Sequence, residues 1–143
     1  MAYKLSRGIG KDNYFVYFNP NPKQLTGVGD CTIRALCAVT GFSWYEVWDR
    51  VMAGAREACM FPNFKPFEVK RMEMFGLKKG VIPRPKKGEK STRVQDFCKA
   101  HPIGRYVLTT AHHEIGVVDG KYYDTCVNSG HKVYSYWELE NWK

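Results

Sequence analysis

The chain has 143 residues, 44% apolar and 15% aromatic, which suits one compact domain over 1–143 with a real core. That composition excludes a disordered chain, and no apolar run approaches the roughly 20 residues that span a bilayer. A net charge of +8, from 22 basic and 14 acidic residues, permits an acidic partner such as nucleic acid, an acidic protein or a membrane surface.

The first stretch, "MAYKLSRGIGKDNYF", lacks the apolar block of an export signal, so a cytoplasmic setting is expected. Residues 13–19, "NYFVYFN", are aromatic and β-branched and predict a strand. "NPNPKQLTGVGD" follows and predicts a loop, because each Pro restricts the residue before it. A helix is expected to start at Cys31, with the Asp30 side chain as N-cap, Ile33, Leu36, Cys37 and Thr40 on one face, and Gly41 as the stop. "SWYE" then forms a capping box, in which Ser43 caps and Glu46 reaches back. Behind it Trp44, Val47, Trp48, Val51, Met52 and Ala55 recur at steps of three and four, the pattern of a core-facing helix stripe.

Residues 66–76 predict a shorter helix ended by Gly76. Residues 77–93, "LKKGVIPRPKKGEKSTR", carry much of the excess charge and read as a solvated loop, with a docking patch as the alternative. Residues 91–102 predict a further short helix with Val94, Phe97 and Cys98 inward. Strands are then expected over 104–110, over a hairpin at 112–126 turning on Asp119-Gly120, and over 131–139. The fold class is therefore α+β, with N-terminal helices packed on a C-terminal antiparallel sheet.

Five cysteines at wide spacing, without a CxxC or CxxH pair, argue against a zinc site or a disulfide framework. No metal or cofactor is expected. Cys37 and Cys98 read as packing thiols on apolar helix faces, and Cys59 as structural. Cys31 differs. In a first helical turn it lies near unpaired N–H groups and the positive end of the dipole, which favours thiolate.

The hairpin offers it partners. With Asp119 and Gly120 as the turn, Val118 faces Lys121, Val117 faces Tyr122, Ile115 faces Asp124 and His113 faces Cys126. His113 and Asp124 then become diagonal neighbours on one apolar face, where a His and an Asp need partners. Cys126 reads as a thiol lining the same pocket. His112 falls on the opposite face, and His101 and His131 read as surface or loop residues. Cys31, His113 and Asp124 are thus candidates for a nucleophile, its base and the group that orients the base.

"GDCTIRAL" followed by "TTAHHEIGVVDGKYYDT" resembles the papain-like cysteine peptidase superfamily. More narrowly it resembles small phage- and bacteria-encoded proteins with a Gly-Asp-Cys-x-x-Arg-Ala signature and a His…Asp-Gly…Asp-Thr hairpin. The resemblance spans about residues 19–137. It implies a papain-like fold and a thiol peptidase or isopeptidase encoded by a phage or mobile element, acting on a protein or peptide substrate. Cys31 would be nucleophile, His113 general base and Asp124 its orienting acid. Such enzymes use a side-chain donor, often Gln, about six residues before the Cys. Gln24 stands seven before it and is the expected oxyanion donor, with Asn21 or Thr26 as substitutes. Arg34 matches the signature Arg and is expected to pair with an acidic group. The alternative reading is a catalytically silent papain-like module that docks an acidic protein or nucleic acid through its basic loop, and a third is thiol redox sensing at Cys126. No membrane partner is expected.

Overall fold

The structure, a computed structural model, describes residues 12–142. The stretch read above for an export signal lies outside them up to residue 11. Among the described residues, four α-helices and a six-stranded mixed sheet form the fold. The strands are β1 (Phe15–Tyr17), β2 (Leu77–Gly80), β3 (Arg105–Thr110), β4 (His113–Val118), β5 (Lys121–Asp124) and β6 (Ser135–Leu139), in the order β1-β5-β4-β3-β6-β2. The helices are α1 (Cys31–Thr40), α2 (Trp44–Ala58), α3 (Glu68–Glu73, entered through a 3-10 turn at Lys65–Phe67) and α4 (Val94–Ala100).

The α+β class stands, and two features correct its finer description. The sheet is not purely C-terminal, because it takes β1 from the front of the chain and β2 from its middle. It is also not purely antiparallel, because β1 runs parallel to β5. Residues 77–80, expected in a loop, pair with β6 from Leu77↔Leu139 to Gly80↔Tyr136. Leu77 and Leu139 are buried there, and Lys78 and Lys79 remain in solvent. The segment is therefore a charged edge strand, and its lysines hid it from a search for apolar alternation.

Period-two alternation places a core on each face of the sheet. On one face Val107, Trp137 and Leu139 pack with Leu36, Val39, Val47, Val51 and Phe67 of the first three helical segments. On the other, Leu108, Ile115, Val117 and Tyr122 pack with Val94, Phe97 and Cys98 of α4. The inward residues expected of α4 are all buried. His101, expected as a surface or loop residue, lies in the loop after α4 and is half-buried there, stacked on Phe97 with centroids 3.8 Å apart and its Nδ1 2.8 Å from the Phe97 carbonyl oxygen.

α1 lies directly across β4, and Gly116 permits this approach. A Cβ there would stand 2.8 Å from the Ala38 Cβ and 2.9 Å from the Ala35 carbonyl oxygen. Gly41 ends α1 at φ 80°, and the Ser43–Glu46 capping box starts α2, both as expected. The hairpin turns on Asp119 and Gly120, each at positive φ, with Val118↔Lys121 and Val117↔Tyr122 in the expected register. No helix among the described residues is long and apolar enough to cross a membrane.

Candidate functional site

Cys31 opens α1, His113 opens β4, and Asp124 closes β5. The hairpin register places the start of β4 beside the end of β5. There the His113 Nε2 lies 2.6 Å from the Asp124 Oδ2. His113 is also the side chain that acts on the Cys31 thiol, and the two residues line one cleft. The three candidates are thus brought together at one site.

Asp124 is 2% exposed and surrounded by donors. Its Oδ2 also accepts from the Asn128 amide, and its Oδ1 accepts from the Thr125 N–H at 2.7 Å and from the Arg34 Nη2 at 3.3 Å. A buried carboxylate needs such partners, and several at once fix its orientation. Asn128 is itself held, since its backbone N–H donates to the Tyr122 hydroxyl, which donates to Asp12. The same contacts explain why the ladder ends. The Thr125 and Asn128 bonds curl the chain around Asp124, so Cys126 does not come to face His113. Cys126 is exposed and lies outside the cleft at Cys31, which corrects its assignment as a pocket thiol.

Electrostatics separate the thiols. Burial acts to raise the Cys31 thiol, but the His113 hydrogen bond, the Glu114 backbone N–H and the His113 charge outweigh it and bring the thiol below its ordinary value. His113 rises to about 9, first through its bond to Asp124 and then through its bond to Cys31. Both directions favour a thiolate–imidazolium pair. Burial pushes Cys37 and Cys98 up to about 12. Cys126 is also raised, by burial and then by the Asp124 charge.

Asp30 was expected to cap α1 through its side chain, and it does not. Its carboxylate instead binds Arg34 one turn on, the Trp44 indole N–H at 3.0 Å and the Asn21 amide at 3.3 Å. Arg34 bridges Asp30 and Asp124, which ties the start of α1 to the end of β5. Its expected acidic partner is therefore two carboxylates, one of them 90 residues away.

A cleft of about 630 Å³ opens beside Cys31. Trp44, Trp48, Val51 and Met52 of α2 form one wall, so the stripe read as core divides. Val47, Val51 and Ala55 are buried, whereas Trp48 is exposed toward the cleft. Gln24 does not line it. Its amide donates to the Asn19 carbonyl at 3.1 Å and the Asn21 carbonyl at 2.9 Å, and these bonds within its own loop hold it away. Thr26 is also outside, whereas Asn21 lines the cleft with its amide beside Asp30. The Cys31 N–H, at the first position of α1, has no intrahelical partner.

Glu114 carries no motif that marks it in the sequence. It follows His113 and turns to the α1 face, where its Oε1 accepts from the Thr32 hydroxyl and from the Arg71 Nη2 at 2.9 Å. Arg71 also donates to the Pro62 carbonyl at 3.0 Å on the cleft rim. The neighbours of the nucleophile and of the base are thus bonded to each other and to α3. Burial pushes the Glu114 carboxyl up, against the lowering effect of Arg71. The Glu in "HHEIG" alternates with an apolar face, and that was the only signal available. Comparison with protein-family models, curated proteins and solved structures finds no match.

Proposed function

We propose that the chain is a papain-like cysteine hydrolase, a thiol peptidase or isopeptidase with a Cys31-His113-Asp124 triad. One observation carries this reading. A thiol at a helix start shares a cleft with, and is lowered by, an imidazole that a fully buried carboxylate holds at 2.6 Å. The resemblance of "GDCTIRAL" and the hairpin to that superfamily supports it further.

In this mechanism the Cys31 thiolate attacks the substrate carbonyl carbon and forms a C–S bond. Charge gathers on the carbonyl oxygen, for which the Cys31 N–H is the first donor and the remaining N–H of Asn21, a cleft residue, the second in this reading. Asn21 takes the role that Gln24 was expected to fill. His113 gives its proton to the leaving nitrogen as the C–N bond breaks. A water molecule then attacks the thioester while His113 takes its proton, which releases a carboxylic acid and restores the thiolate. Asp124 keeps Nε2 engaged and so fixes the ring beside Cys31.

The test is competitive alkylation with iodoacetamide near neutral pH, followed by peptide mapping. Cys31 is expected to react ahead of the exposed Cys59 and Cys126. His113→Ala should slow Cys31 by about tenfold for each pKa unit the thiol regains. Equal rates at the three thiols would overturn the reading.

A further inference from the structure

The basic segment lies apart from the cleft, and it is held in place at both ends. Its start is β2, paired with β6. Its end is joined to the strand-like run before β6, where the Val133 N–H donates to the Thr92 carbonyl at 3.0 Å and the Val94 N–H to the His131 carbonyl at 2.9 Å. Between them Ile82 packs against the second core. The result is a groove of about 500 Å³ with Arg84 and Lys132 on its walls and Tyr134 at its side.

The groove sits in a field of one sign. Residues 77–93 hold seven basic side chains and one acidic. No ion pair among the described residues engages Lys78, Lys79, Arg84, Lys86, Lys87, Lys90, Arg93 or Lys132. Tyr134 is 56% exposed, with the Lys132 Nζ 5.1 Å from its ring centroid. A large exposed aromatic beside unpaired cations has a natural counterpart in a ligand with both dense negative charge and flat π faces. Acidic peptides supply the first without the second, whereas nucleic acids supply both. The walls are irregular chain with two prolines, and no helix or two-stranded ribbon projects from them to enter a duplex groove.

We propose that this groove binds single-stranded nucleic acid, with Arg84 and Lys132 on the phosphates and Tyr134 stacked on a base. This function is separate from hydrolysis and does not depend on Cys31.

The experiment is fluorescence anisotropy of the full chain with labelled oligothymidylate and oligouridylate of about 12 nucleotides. Engaging about four phosphates, binding should weaken roughly 50-fold between about 50 mM and about 200 mM salt. Arg84→Glu with Lys132→Glu should abolish binding and leave the rate of Cys31 alkylation unchanged. Tyr134→Ala should weaken it about tenfold while leaving the salt dependence in place. Cys31→Ala should bind as the native chain does, which separates this proposal from the hydrolase reading. Absence of binding at the lower salt would overturn it. So would polyglutamate binding as tightly as the oligonucleotides with no effect of Tyr134→Ala, an outcome that would mark an acidic-protein surface.

Discussion

Cys31 differs from the other four thiols by its neighbours. Cys37 and Cys98 lie in the two cores, and burial holds both near 12. Cys31 is the thiol that meets an imidazole, and the pair sets a pH window. Hydrolysis needs the thiolate and the imidazolium together. Activity on an activated amide should therefore rise with pH as Cys31 ionises and fall as His113 loses its proton near 9. Alkylation of Cys31 needs only the thiolate, so it should persist above that pH. Rate profiles of the two reactions on the same preparation check this, and an alkaline fall in both would contradict the assignment of His113. Asp124→Asn should lower the alkaline limb of hydrolysis, because the bond to Asp124 is the first cause of the elevated His113 value.

Elements rather than single residues bring these groups within reach. Gly116 lets α1 rest on β4, and Gly116→Ala forces a Cβ against the Ala35 carbonyl and Ala38. Urea denaturation should show a loss of about 1–3 kcal/mol, and Cys31 alkylation should slow as α1 lifts from His113. The Thr32–Glu114–Arg71 contacts act at the same junction. Arg71→Ala leaves a buried carboxyl without its cation and should cost about 3–5 kcal/mol, while Arg71→Ala with Glu114→Gln should recover part of that loss. A cost under about 1 kcal/mol for the single change would mean the tether does not hold the junction. Local signals made much of this legible in the sequence. Asp119-Gly120 fixed the hairpin register, Gly41 and the Ser43 capping box bounded α1 and α2, and alternation put His113 with Asp124. What stayed hidden were contacts between distant segments. Asp30 reads locally as a cap, but a guanidinium and an indole compete for its carboxylate and win. Gln24 has the expected residue type near the expected spacing, but its positive φ and its two loop carbonyls keep it out of the cleft. β1 pairs across more than a hundred residues, and nothing in "NYFVYFN" announces a parallel partner. Trp44 and Trp48 share the stripe of Val47 and Val51, and periodicity cannot tell a cleft wall from a core.

For the whole molecule, the site sits where α1, β4 and β5 meet, at a margin of a sheet covered on both faces. Its charges therefore couple to stability. His113 lies above its ordinary 6.5 in the folded chain, so the stability it adds is complete below that pH and is lost as pH rises through about 9. Unfolding free energy measured across this range should fall on the alkaline side, and Asp124→Asn should flatten that fall. An unchanged slope in Asp124→Asn would show that His113 draws its elevation from elsewhere. The unpaired lysines of the basic segment lie off the cleft, so neutralising them should leave this profile intact. The most direct test of the central claim is mass spectrometry of the intact chain after reaction with an electrophilic acyl probe. A single acyl adduct on Cys31, lost in Cys31→Ala and slowed in His113→Ala, is expected. Labelling spread over Cys59 and Cys126, or adducts that persist in Cys31→Ala, would contradict a nucleophilic Cys31.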